Sequence, residues 1–190
     1  MIEMRNVCFS YGDREVLKDF NLTVSDGQCV CIKGPSGCGK TTVLKLLLGL
    51  LTPESGEISG NVNPSVVFQE DRLLSGFSLK TNVLLPPLTD ELEKNAIDLL
   101  NEAGLSDVLN KKVRHLSGGM KRRAAIVRAV AFQGDLLVLD EPFNGIDAEN
   151  KLIMAEMIKR EFLQKGKSVL MVSHIDSDAE LLNASVYHFE

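Results

Sequence analysis

The chain has 190 residues, 44% hydrophobic and 25% charged, a composition that suits one folded domain with a substantial core. A net charge of -5, two tyrosines and no tryptophan argue against a basic, base-stacking surface and so against nucleic acid as a primary partner. No apolar run reaches the ~18–20 residues that span a bilayer; the longest, from Val43 to Leu51, is interrupted by Lys45 and Gly49.

In chain order, Met1-Ile2-Glu3-Met4-Arg5 lacks a basic segment followed by an apolar one, so no signal peptide is expected. Phe20, Leu22 and Val24 alternate with Asn21 and Thr23 as in a half-buried strand. Asp26-Gly27 then reads as a hairpin turn before a strand containing Val30 and Ile32. The cysteines are Cys8, Cys29, Cys31 and Cys38, with no Cys-x-x-Cys pair and distant histidines, so reduced thiols are expected rather than a zinc site. Cys29 and Cys31 alternate along their strand and should pack against the core.

Lys40 to Leu51 reads as a helix, closed by Gly49 and by Pro53 beyond it. A polar stretch from Pro53 to Pro64 leads to the apolar strand Val66-Val67-Phe68. Asp90 with Glu93 suggests a capping box, and Leu92, Ala96, Leu99, Leu100 and Ala103 follow helical spacing until Gly104. A helix is expected from near Gly119 to about Phe132, then a buried strand Leu136–Leu139 ending in acid. A helix from about Ala148 to Gln164, a strand Ser168–Val172 and a strand Val186–Phe189 complete the pattern. Strands alternating with helices imply an α/β fold with a largely parallel sheet. Residues 70–134 read as an inserted, mostly helical subdomain in a core made of 1–69 and 135–190.

Gly34-Pro35-Ser36-Gly37-Cys38-Gly39-Lys40-Thr41 fits G-x-x-x-x-G-K-[ST] between a strand and a helix, the context in which that pattern forms a phosphate loop. Glycines let backbone N–H groups converge on phosphate oxygens, and the helix N-terminus adds a favourable dipole. Lys40 is expected to reach the β- and γ-phosphates of ATP, and the Thr41 hydroxyl to ligate Mg²⁺. Asp140 sits at the C-terminal tip of a buried strand, where ligands gather in open α/β sheets, and is expected in the Mg²⁺ shell. Glu141 is the natural general base for water attacking the γ-phosphate.

Leu116-Ser117-Gly118-Gly119-Met120, opening a helix between the loop and the acids, resembles the signature of ATP-binding-cassette (ABC) ATPases, and the likeness spans the whole chain. The resemblance implies a phosphate-loop (RecA-like) core with an N-terminal antiparallel β region and the helical insertion. It also implies a second copy of the chain, with ATP sandwiched between one loop and the other's Ser117, Gly118 and Gly119. Tyr11 matches the adenine-stacking aromatic, and Thr42 joins the nucleotide-binding loop. Gln69 matches the residue that contacts Mg²⁺ and the attacking water and marks the hinge. Asn144-Gly145-Ile146-Asp147 matches the loop crossing to the partner, and His174 matches the switch histidine at the γ-phosphate.

Met120 replaces the usual glutamine, and Asn144-Gly145 stands where Ser-Ala is common. The short stretch after His174 raises the expectation that no regulatory domain is appended. Val67 to Leu74 resembles the nitrate/sulfonate/taurine branch of importer ATPases, with a transmembrane permease and a solute-binding protein as implied partners and a peripheral place on the cytoplasmic face of the cell membrane. Two other classes compete: a soluble ABC ATPase of a non-transport or repair assembly, and a nucleotide switch without hydrolysis. The absence of coiled-coil heptads opposes a repair head, and intact Gln69, Glu141 and His174 oppose a silent switch.

Overall fold

The computed structural model describes residues 1–86 and 88–189. Two sheets form. The first is antiparallel, in the order β2-β1-β4, from β1 (Ile2–Tyr11), β2 (Arg14–Val24) and β4 (Ser55–Ser59). The second is parallel, in the order β5-β6-β7-β3-β8, from β5 (Pro64–Val67), β6 (Leu136–Asp140), β7 (Ser168–Val172), β3 (Cys29–Lys33) and β8 (Ser185–His188).

The hairpin expected at Asp26-Gly27 is not one. β2 pairs with β1 across Gly12-Asp13, with Tyr11 opposite Arg14, while β3 joins the other sheet between β7 and β8. Burial explains the separation. β2 alternates buried and exposed residues, as a strand with one wet face must, whereas Cys29 to Ile32 are buried on both faces, as a central parallel strand requires. β4 was not foreseen either: Ser-Gly-Glu-Ile-Ser has one apolar residue, Ile58, so no hydrophobic period can emerge, and its pairing with β1 makes it a strand.

Two hydrophobic cores flank the parallel sheet. Val30, Ile32, Val138 and Leu170 face the antiparallel sheet and α1 (Lys40–Leu47). Cys29, Cys31, Leu137, Leu139 and Met171 face the other way, onto the helices. The thiols of Cys29 and Cys31 therefore pack as small hydrophobes, as their alternation suggested, and burial pushes them up to about 12 and about 11.

Between β5 and β6 the chain leaves the sheet for α2 (Leu79–Val83), α3 (Asp90–Glu102) and α4 (Gly118–Phe132). Ala96, Leu99 and Leu100 bury the inner face of α3. Its cap is Thr89, whose hydroxyl accepts from the Leu92 N–H, so the Asp90–Glu93 box is replaced by a cap one residue earlier with three acids in the first turn. α5 (Ala148–Glu161) and α6 (Asp176–Leu181) cover the same face of the sheet.

Candidate active site

The loop from Gly34 to Gly39 follows β3 and delivers Lys40 as the first residue of α1. Gly37 and Gly39 have φ of 79° and 118°, values that side chains with a Cβ rarely adopt. A Cβ on Gly39 would also stand 2.8 Å from Val16 Cγ1, so β2 closes against the loop there. The Lys40 ammonium donates to the carbonyl oxygens of Gly34 and Pro35 at 2.8 and 2.7 Å and lies 3.7 Å from Cys38 Sγ. Ser36, Gly37, Gly39, Lys40, Thr41 and Thr42 border a cleft of about 800 Å³.

The same cleft is bordered by Tyr11, Gln69, Asp140, Glu141 and His174. These come from β1 of the antiparallel sheet and from the C-terminal ends of β5, β6 and β7, so residues far apart in sequence meet beyond the strand tips. Tyr11 is 46% exposed, with its ring edge-on to Phe9.

Asp140 is buried, and the Thr41 hydroxyl donates to its Oδ2 at 3.2 Å. Desolvation raises its pKa, against the lowering effect of that hydrogen bond. A hydroxyl, a carboxylate and the Gln69 carboxamide form an all-oxygen donor set on one wall, which fits Mg²⁺. Among the described residues no three His, Cys, Asp or Glu cluster as a cage, so phosphate oxygens and water would complete the shell.

Glu141 is one of the non-glycine residues at positive φ, 50°, a conformation that concentrates at functional sites. Its N–H donates to Val172 O at 2.9 Å, tying the acid to the neighbouring strand. His174 Nδ1 stands 2.9 Å from both carboxylate oxygens.

Ser117, Gly118, Gly119 and Asp147 do not border this cleft. Ser117 and Gly118 are exposed at the start of α4, where the Ser117 hydroxyl caps the helix by accepting from the Met120 N–H at 3.2 Å. Gly119 packs tightly on the next loop, since a Cβ would lie 3.0 Å from Gly145 O and the loop would have to give way to admit it. Asp147 caps α5 through Asn150, and those hydrogen bonds lower its pKa.

The family described as ABC transporter matches residues 17–144. The chain belongs to it. The aliphatic sulfonates import ATP-binding protein SsuB 3 of Pseudomonas savastanoi is 38% identical over 186 residues, covering 94% of this chain and 68% of that protein. SsuB 1 of Rhodococcus jostii is 35% identical over 191 residues, covering 97% and 77%. The chain thus spans roughly two thirds to three quarters of its relatives' length. Among solved structures, an ATP-binding subunit of an ABC transporter superposes with a TM-score of 0.92 at 26% identity, covering 100% of this chain and 86% of that one. The dimeric cassette MJ0796 superposes with 0.88 at 27%, covering 100% and 94%. The protein is an ATP-hydrolysing ABC subunit, and the relatives are of the importer branch that its sequence resembles.

Sequence reasoning missed several parts of this ABC site. Arg14 and Val16 border the cleft from β2, and Arg14 Nη2 donates to Gly37 O at 3.4 Å. The signal was available in Gly12-Asp13, a two-residue hairpin turn that sets Arg14 opposite Tyr11, with Val16 next on the same strand face. Asn144 also borders the cleft, so a residue read as part of the crossing loop faces its own chain's site. No helix among the described residues is long and apolar enough to cross a membrane.

Proposed function

We propose that this ABC subunit is the energy-coupling ATPase of an importer for a small organic anion of the sulfonate class. It works as a pair of copies beneath a membrane permease, with a solute-binding protein supplying the ligand. The observation that carries the reading is the separation of the site into two parts. The phosphate loop, Gln69, Asp140, Glu141 and His174 share one cleft, while Ser117 and Gly118 are exposed at another place on the same chain. A second copy placed head to tail would bring signature to cleft, and a solved relative is described as dimeric. Against a non-transport ABC assembly stand the curated relatives, whose names are those of import proteins.

In this reading Lys40 and the loop N–H groups hold the phosphates, Tyr11 stacks on adenine, and Thr41, Gln69 and Asp140 hold Mg²⁺. Bound Mg²⁺ neutralises charge on the phosphate oxygens. Glu141 takes the proton from the attacking water, His174 orients it, and the partner's Ser117 side closes the site. Residues 70–134 move as one body about Gln69. Leu74 and Phe77, 44% and 55% exposed beside that hinge, give the permease an apolar contact, while Leu73 packs inward. The protein then sits on the cytoplasmic face of the membrane through that contact.

The test is uptake of labelled ethanesulfonate by cells carrying the wild type or Lys40→Ala, which loses a charge-assisted contact worth roughly 1.5–3 kcal/mol. Uptake should fall to background with the variant. Unchanged uptake alongside lost ATPase activity would sink the transport assignment.

A further inference from the structure

Arg122, on α4 just beyond the signature, is 4% exposed and has no place in the mechanism above. Nη2 donates to the carbonyl oxygens of Asp140 and Glu141, both at 2.6 Å, and Nε to that of Pro142 at 3.0 Å. Nη1 reaches Phe68 O at 2.5 Å and Gln69 O and Asp71 Oδ1 at 3.3 Å. One planar cation thus joins two separate segments, the tip of β6 and the hinge after β5, and most of its acceptors are main-chain oxygens.

A buried guanidinium is a poor choice for stability alone, because an apolar side chain fills such a space without desolvating a charge. What it provides here is geometry: rigid donors on two edges of one plane. The segment it grips on one side contains Glu141 at φ 50°, a backbone state that a glutamate adopts unfavourably on its own. The segment on the other side contains Gln69. Arg128, further along α4, offers a natural contrast: it donates to Arg72 O and Asp71 O at 2.9 and 3.0 Å, gripping the hinge side only.

We propose that Arg122 is a positioning residue that pins the backbone of Glu141 to the hinge carbonyls, so that the aim of the base depends on where the hinge and α4 stand. The proposal rests on Glu141 being the base. It makes hydrolysis, rather than ATP binding, the step that senses the helical part.

The experiment uses the purified whole chain with Mg·ATP. It compares kcat, KM and thermal unfolding for wild type, Arg122→Lys, Arg122→Gln and Arg128→Lys, and adds Arg122→Gln to Glu141→Gln. Both Arg122 variants should lose roughly tenfold or more in kcat with KM within about threefold, since neither lysine nor glutamine spans both segments. Arg128→Lys should change kcat by less than about threefold. In the Glu141→Gln background, where no base remains to be aimed, Arg122→Gln should cost no further rate. A wild-type kcat in the Arg122 variants would overturn the proposal, as would the same fractional loss with and without Glu141, or failure of both variants to fold. A Glu141→Gln protein as fast as wild type would overturn the reading of Glu141 itself and the proposal with it.

Discussion

The ring of His174 and the carboxylate of Glu141 meet at the tips of adjacent strands, with Nδ1 2.9 Å from Oε1 and Oε2. The acid's side chain is 14% exposed and the ring's 60%, so the carboxylate is sheltered and its partner open to solvent. Glu141→Gln keeps the shape and removes the basicity, so hydrolysis should fall by about 10²–10⁴ while ATP binding persists. Sizing chromatography should then find the variant dimeric with ATP and the wild type monomeric with ADP. A variant that stays monomeric at saturating ATP would count against the sandwich.

Ser117 offers a cleaner probe of the partner's contact than a bulky replacement. Its hydroxyl caps α4, and aspartate caps as well as serine does. Ser117→Asp should therefore leave the unfolding midpoint near wild type while setting a negative charge against the partner's γ-phosphate. Added to Glu141→Gln, it should abolish the ATP-dependent dimer; a persisting dimer would remove Ser117 from that contact.

Asp140 carries a burial cost in the folded chain. Its raised pKa means that it binds a proton more readily in the folded than in the unfolded chain, so its ionisation weakens the fold above the folded value and the cost fades as pH falls. Without Mg²⁺, Asp140→Asn should melt higher than wild type at neutral pH, by about 2–4 °C for each kcal/mol relieved, and the gap should close in the carboxylate range. The same variant should lose Mg²⁺-dependent hydrolysis. Equal midpoints at neutral pH would mean that Asp140 is not penalised by its burial.

Thiol labelling reports the fold and the loop together. Cys29 and Cys31 are buried with pKa values pushed up to about 12 and about 11, so they should resist alkylation in the native protein. Cys8 and Cys38 are only partly buried and should react. Alkylation at Cys38 should inhibit hydrolysis and ATP should protect, while Cys38→Ala stays active. An inactive alanine variant would assign the thiol a chemical role that this scheme lacks.

The phosphate loop, the acid pair and the strand–helix alternation were legible in the sequence because each couples a local pattern to a local shape. The partition of strands between sheets was less so. Asp26-Gly27 has the chemistry of a hairpin turn, and only the unbroken burial of Cys29 to Ile32 marks β3 as central to another sheet. The short helices α2 and α6 carry too few residues for a period to emerge. Arg122 was invisible for a different reason. Its partners are mostly backbone carbonyls, and a carbonyl leaves no mark on the identity of the residue that bears it.

At the far end of α4 the chain re-enters the sheet through Gly134, where a Cβ would stand 2.3 Å from Asn63 O. Hydrogen bonds from Gly134 N to Ser65 Oγ at 3.0 Å and from Asp135 N to Asn63 O at 2.8 Å seat this end against β5. α4 is 15 residues long, about 22 Å of rigid rod. If the helical part rotates, α4 would act as a lever with its fulcrum at this seated end and Ser117 at the other. A tilt of roughly 10° at the fulcrum would sweep Ser117 through about 4 Å, on the scale of a bond to phosphate made or lost. Arg122 stands near the Ser117 end, so such a tilt would strain its carbonyl contacts, and the distance from Gly134 to Ser117 would set the gain.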